Sequence, residues 1–250
     1  MDPRNNVTTE EAENIEQFTR EQSGSYKWKE ERHWRLTASR FGEICRATER
    51  RDMSSLAKSI LNPPDLSRLP AVSYGKAQEA NAIKKFMEVT KLEVTKCGLF
   101  VDIDHGFLAA TPDGIIDEDT LLEVKSPYTG RKEHISPGKW FSHLEQRDGE
   151  LKLKKLHPYM YQVQGQMAIC KRKQCYFVTY TLVDLHYELI KFDAEFYQQE
   201  MFPLLQQFFT EHYKPAIVKE LVKDSSDMEY SDMGDCDAAG DEDRPAPEEE

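Results

Sequence analysis

The chain has 250 residues, 39% of them hydrophobic and 10% aromatic, which suffices for one large domain or two small ones, each with a proper core. Its net charge of −12 argues at first against a nucleic-acid partner. No apolar run of about 18 residues is present, so no transmembrane helix and no membrane partner are expected. The charge is unevenly placed, however. Residues 224–250 hold twelve acids and one base, Arg244, and the other 223 residues hold 33 acids against 32 bases. A nearly neutral body can still carry a basic groove; the lysine-rich stretch 151–155 and the basic triplet 171–173 are candidate pieces. Five scattered cysteines (Cys45, Cys97, Cys170, Cys175, Cys236) form no Cys-x-x-Cys pair, so neither a zinc site nor a disulfide framework is expected. They fit a reducing intracellular compartment, nucleus or cytoplasm. The acidic first 18 residues have no apolar signal core and no basic transit character.

In chain order, residues 1–26 are a polar N-terminal segment with one short helix, opened by the capping box of Thr8 and Glu11. Residues 27–35 read as helical. A helix with Thr37 or Ser39 as its N-cap follows, with Phe41, Ile44 and Cys45 on one stripe. A short helix covers 53–61, stopped by Pro63-Pro64, and a clear one covers 75–90. Strands are expected near 92–96, 98–103 and 107–110, then a hairpin over 111–128. Residues 158–171 read as a helix, 174–182 and 186–192 as strands, and 194–213 as a last helix broken or begun anew at Pro203. Helices before and after a central sheet predict a mixed α/β layered domain over 27–223. The tail 224–250 has almost no core-forming residues and is expected to be disordered.

The hairpin carries the chemistry. Ile115-Ile116 and Leu121-Leu122 flank an acidic turn at 117–120. If all four residues form the turn, Ile116 faces Leu121 and Asp113 falls near Val124. Alternation along the strand points Glu123 and Lys125 the same way, within reach of Asp113. Two carboxylates, with the Val124 carbonyl as a further oxygen, suit a hard divalent cation such as Mg²⁺, with Mn²⁺ as a substitute. Lys125 could orient or deprotonate a water, or stabilise charge on a phosphate. The same residues also read as a surface hairpin with an Asp-Gly turn and a Glu–Lys pair. Glu79 shares the helix stripe of Ile83 and Phe86, where an acid is costly without a cation; it equally suits a solvated helix start. Gln162 sits in a helix apolar on several sides, either holding a water or phosphate or satisfied by backbone as a core amide.

The stretches WKEERHWRLTASRFGEI, YGKAQE, TPDG…LLEVKSP and YMYQVQGQM, in this order, resemble the phage-type exonuclease family, lambda exonuclease and the YqaJ-like viral recombinases, of the PD-(D/E)XK nuclease superfamily. The resemblance runs from about residue 28 to about 212. It implies a restriction-endonuclease-like fold with a mixed central sheet flanked by helices. It further implies a Mg²⁺-dependent exonuclease working on duplex DNA from the 5′ side, in recombination or repair. By position, Asp113, Glu123 and Lys125 match the motif's acids and lysine, Glu79 the acid of the G-x-x-x-E helix, and Gln162 the first glutamine of the Q-V-Q helix. Arg32 and Ser39 match residues used near the terminal 5′-phosphate, and Thr111 stands where the phage enzyme has serine. A further family acid, a second metal ligand, falls near Asp102 and Asp104, uncertain by one or two positions. Local physics agrees at the end pocket, since a helix N-terminus and an arginine fork both favour an anion. The phage member's ring-shaped trimer makes a homo-oligomer an expectation. A second reading is a nuclease-like scaffold that binds DNA or a protein partner without cutting.

Overall fold

The computed structural model describes residues 6–232. Helix α1 (Thr9–Phe18) opens on the expected capping box, in which the Thr8 hydroxyl accepts the Glu11 N–H and Glu11 accepts the Thr8 N–H. Helix α2 (Tyr26–His33), strand β1 (Leu36–Thr37), helix α3 (Ala38–Cys45) and helix α4 (Met53–Leu61) follow. Thr37 has the extended N-cap backbone of α3 but its side chain makes no capping bond; it meets Ser39 Oγ at 3.1 Å instead. Helix α5 starts at Pro70, five residues before the expected 75, and runs 21 residues to Thr90. Proline at its first turn is the reason: the fixed φ is helical and the missing N–H would have been unpaired there in any case.

Strands β2 (Phe100–Val101), β3 (Leu108–Ala110), β4 (Gly114–Ile115), β5 (Thr120–Lys125), β6 (Leu144–Arg147) and β7 (Glu150–Leu153) precede helix α6 (Pro158–Ile169). Strands β8 (Gln174–Tyr180) and β9 (Leu185–Lys191) then lead into a helical run. In that run α7 (Phe202–Phe208) lies between two π-helical turns, 196–201 and 209–213, and passes directly into α8 (Lys214–Asp232). The last helix therefore does not end at 213, and its backbone continues nine residues past the expected start of the tail; residues 233–250 lie outside the described part. No described helix is long and apolar enough to cross a membrane.

The main sheet has the order β4-β5-β8-β9, with β5 and β8 parallel and the other neighbours antiparallel. A small sheet, β1-β3-β2, stands beside it, and β6-β7 form a separate hairpin. Alternation sorts the faces of β5. Leu122 and Val124 join Ala82 and Phe86 of α5 in one cluster, whereas Leu121 packs with Val163 and Met167 of α6 in the larger core. Helix, sheet and helix thus form three layers, with α3 crossing α6 on the outside.

That crossing is made possible by two glycines. A Cβ on Gly165 would stand 2.3 Å from Phe41 Cδ2, and one on Gly42 would stand 2.5 Å from Pro158 Cα. Gly165→Ala is therefore expected to cost about 1–3 kcal/mol by overpacking, seen as a lower thermal midpoint. An unchanged midpoint would mean that the two helices part more freely than their packing implies.

Three expectations need correction. The hairpin pairs Ile115 with Leu121 and Gly114 with Leu122, one residue away from the expected register. Ile116 N–H bonds Thr120 O, so the loop is the three residues 117–119, tightened by Asp119 N–H on Asp117 Oδ1. Second, residues 92–99 form no named strand and contribute only a bridge between Thr95 and Ile115. The N–H groups of Gly98 and Leu99 bond side chains of the α1 end instead of a neighbouring strand. Third, β6-β7 was not expected, although Asp148-Gly149, both at positive φ, are the turn residues such a hairpin demands.

Candidate active site

Strand β5 carries Glu123 and Lys125 on the face toward α6, and the chemistry follows from what meets them. Glu123 is almost fully buried. Its Oε1 accepts Gln162 Nε2 at 2.6 Å and Lys125 Nζ at 2.5 Å, and its Oε2 accepts Gln166 Nε2 at 2.7 Å. Gln162 and Gln166 are four residues apart on α6, so one helix face delivers both amides. Both glutamines are buried. Gln166, whose role the sequence did not single out, is as close to Glu123 as Gln162 is.

Asp113 follows the small sheet and enters the same space from the other side. Its Oδ2 accepts the Val124 N–H at 2.7 Å, and its own N–H bonds Leu122 O at 3.0 Å. The carbonyl of a strand residue points to the same side as its N–H, so the Val124 carbonyl also faces Asp113. Although the register is shifted, Asp113, Glu123 and Lys125 converge as expected. Glu79 and Asp113 both line a cleft of about 270 Å³ with Lys125, Ser126 and Tyr159, and both line a second cleft of about 730 Å³ beside it. Ser126 Oγ is buried at the first cleft and has no protein partner.

The electrostatics is that of crowded acids around one cation. Asp113 keeps part of its surface on the cleft, yet enough protein surrounds it that burial, and then the neighbouring Glu123, raise its pKa well above the usual carboxylate value. Burial and Glu123 raise that of Glu79 as well. Burial disfavours the charge of Lys125, but Glu123 and Asp113 outweigh it, and its pKa rises. Lys125 Nζ also lies over the Tyr159 ring, 4.8 Å from its centre. Lys125 is therefore held as a cation and hydrogen-bond donor in this arrangement.

As placed here, no three His, Cys, Asp or Glu side chains among the described residues enclose a metal position. The donor chemistry nonetheless fits a hard cation. Burial and Glu123 favour the neutral forms of Glu79 and Asp113, which a cation would reverse, the Val124 backbone lies against Asp113, and all the groups are oxygen donors. Both Glu123 oxygens are meanwhile held by amides and Lys125.

Other candidates lie elsewhere. Asp102 is not brought to this group: it caps the β2–β3 turn, accepting the N–H of Asp104 and His105, and stands 3.9 Å from Lys171. Asp104 is exposed and pairs with Lys171 at 3.0 Å. A position in the sequence close to the motif did not become a position close to the site, because β2 runs away from Asp113 as β3 approaches it. The basic stretches are also engaged: Lys152 pairs with Glu150, Lys173 with Asp119, and Lys154 donates to Ser142 O. The cations on the wider cleft are instead Arg20, Lys76, Lys84 and Lys96.

Arg32 does not pair with Glu31, whose carboxylate goes to Arg35. Its guanidinium stacks 4.2 Å above the Trp28 ring, and burial together with the neighbouring Arg40 lowers its pKa to about 10. Trp28 Nε1 in turn donates to Thr111 Oγ1 at 3.1 Å, which ties Arg32 to the segment that leads into Asp113. Ser39 is exposed in the first turn of α3.

A mixed sheet with Glu123 and Lys125 at the end of its inner strand and Asp113 immediately before the neighbouring edge strand, between two helical layers, defines a restriction-endonuclease-like nuclease fold. The chain belongs to the family of the YqaJ-like viral recombinase domain, whose model matches residues 27–173. Among solved structures, it is similar to an alkaline exonuclease, LHK-Exo, from Laribacter hongkongensis. The two are 22% identical with a TM-score of 0.61, over 82% of this chain and 100% of that one. It is also similar to KSHV SOX in a complex with RNA, 12% identical with a TM-score of 0.52, over 79% of this chain and 72% of that one. At such identities the likeness is one of fold. No curated protein matches the sequence.

Proposed function

We propose that the chain is a divalent-cation-dependent exonuclease that hydrolyses DNA from 5′ ends in recombination or repair. The observation that carries the reading is the meeting of Asp113, Glu123, Lys125 and Gln162, with Glu79, around one cleft. Family membership supports it, as does the likeness of fold to an alkaline exonuclease. Asp113, Glu123, Glu79 and the Val124 carbonyl would hold Mg²⁺ or Mn²⁺. The ion supplies Lewis-acid polarisation of a phosphate oxygen and a more acidic water.

The chain's own residues do the rest. Lys125, charged and anchored over Tyr159, donates hydrogen bonds to a phosphoryl oxygen as negative charge grows there. Gln162 keeps its amide on Glu123 and so fixes where a water between Glu123, Lys125 and the phosphorus must lie. Gln166 fixes the other Glu123 oxygen. Arg32, stacked on Trp28, and Ser39 on α3 would receive the terminal 5′-phosphate, with Trp28 holding that pocket against Thr111.

Mg²⁺ or Mn²⁺ should allow the protein to degrade linear duplex DNA, and EDTA or Ca²⁺ should stop it. Gel analysis of an end-labelled duplex checks this, and digestion undiminished by EDTA would remove the ion from the reading. Tight Mg²⁺-independent DNA binding without cutting would favour the scaffold instead.

A further inference from the structure

Residues before 27 lie outside the matched family domain, and their composition reads as a polar appendage. They are docked against the catalytic segment. Thr19 Oγ1 accepts the Leu99 N–H at 2.7 Å, and Glu16 Oε1 accepts the Gly98 N–H at 2.9 Å. Arg20 grips Glu16 through bonds of 2.7 to 3.2 Å. The approach is so close that a Cβ on Gly98 would stand 2.0 Å from Glu16 O. Gln22 then turns back in the left-handed region at φ 45°. From there its Nε2 donates to Cys97 O at 3.1 Å and to Pro112 O at 3.2 Å.

Pro112 O belongs to the peptide unit that enters Asp113. That unit is planar, so its tilt sets the N–Cα bond of Asp113 and, together with φ, the direction in which the side chain leaves the backbone. Its N–H is held by Leu122 O at 3.0 Å. Its carbonyl is held by Gln22 and, from the side, by the Cys97 thiol at 3.3 Å. Gln22, reaching across 90 residues of sequence, thus shares with Leu122 O and the Cys97 thiol in setting the plane of the Pro112–Asp113 peptide, and among the described residues it is the amide donor to that carbonyl.

We propose that Gln22 is a positioning residue for Asp113, and that the segment from α1 to Gln22 is a working part of the catalytic unit. This rests on the reading of Asp113 as a cation ligand. The test uses the full chain carrying Gln22→Gly. Glycine accepts the left-handed backbone without strain, so the turn survives while the donor is lost. Expected are an unchanged or higher thermal midpoint, and Mn²⁺ affinity by calorimetry weaker by about tenfold. The kcat on linear duplex should fall by about 10- to 100-fold with KM for DNA unchanged. Gln22→Asn also tolerates that backbone but is one methylene shorter, and it should reproduce the loss. Parental Mn²⁺ affinity and kcat in both variants, or a loss confined to KM, would overturn the positioning role alone. A parent chain that neither binds Mn²⁺ nor cuts DNA would overturn the functional reading with it.

Discussion

Replacing Asp113 by Asn should leave a folded protein that no longer cuts DNA, with a loss of at least about 10³-fold, or about 4 kcal/mol of transition-state stabilisation. The carboxylate is the group through which the small sheet, β5 and the cation would meet, and an amide offers a cation a neutral oxygen in its place. In the absence of cation the same change should stabilise the fold. Burial and Glu123 hold the Asp113 pKa well above its ordinary value. The folded protein therefore binds the Asp113 proton more tightly than the unfolded chain does. Stability is lost as pH rises through the window between the unfolded value, about 3.9, and the raised folded one. Asn never ionises. In EDTA the thermal midpoints of parent and Asp113→Asn should lie close together near pH 4, and the variant should pull ahead as pH approaches neutrality. Glu123→Gln should also abolish cutting but should lower stability. Glu123 is buried under Lys125 and two amide donors, and removing one partner of a buried ion pair typically costs about 3–5 kcal/mol. Cutting at the parental rate by either variant would sink the site assignment. A midpoint difference for Asp113→Asn that stays flat with pH would sink the account of its burial.

Arg32 should show the same exchange of function for stability as Asp113. Its charge is partly enclosed beside Arg40, with the Trp28 ring face and Tyr213 in partial compensation. At neutral pH, below its depressed pKa, the fold carries the full penalty of that charge. Arg32→Met keeps an apolar stem for Trp28 and deletes the charge. The variant should melt higher than the parent. It should also lose the preference for 5′-phosphorylated over 5′-hydroxyl duplex that the parent is expected to have, chiefly by digesting the phosphorylated substrate more slowly. A parent without that preference has no end pocket at Arg32, and a variant that melts lower has an anchoring arginine instead. Salt should weaken the parent's preference, since it screens phosphate attraction.

The parts of the site that were legible in the sequence are those in which spacing alone dictates proximity. Glu123 and Lys125 share a face because strand side chains alternate, and Gln162 was conspicuous as an amide in a helix apolar on several sides. The register of the hairpin was not legible. Asp117 to Thr120 permit a three- or a four-residue loop, and only the Asp117 side chain bonding Asp119 decides for three. Asp102 and Asp104 were drawn in by the spacing of a family acid before the motif, and the antiparallel turn from β2 to β3 sets them at the far end of β3 from Asp113. Gln22 leaves no periodic signal, since its partners lie 75 and 90 residues away. The lysines of 151–155 and 171–173 show that charge density does not reveal which acids are already paired with it.

The placement of β5 inside the sheet has a consequence for how the protein loses activity. Glu123 and Lys125 stand on a strand bonded on one side to β4 and along its whole length to β8, with helices over both faces. The amides of β5 and β8 should thus be among the slowest in the chain to exchange with deuterium, opening only with global unfolding, while the β6-β7 hairpin opens sooner. In rising urea, the catalytic side chains should keep their relative positions until the cooperative transition. Local fraying of the β6-β7 hairpin will therefore be silent in an assay of the chemical step, whereas release of the α1–Gln22 segment will not.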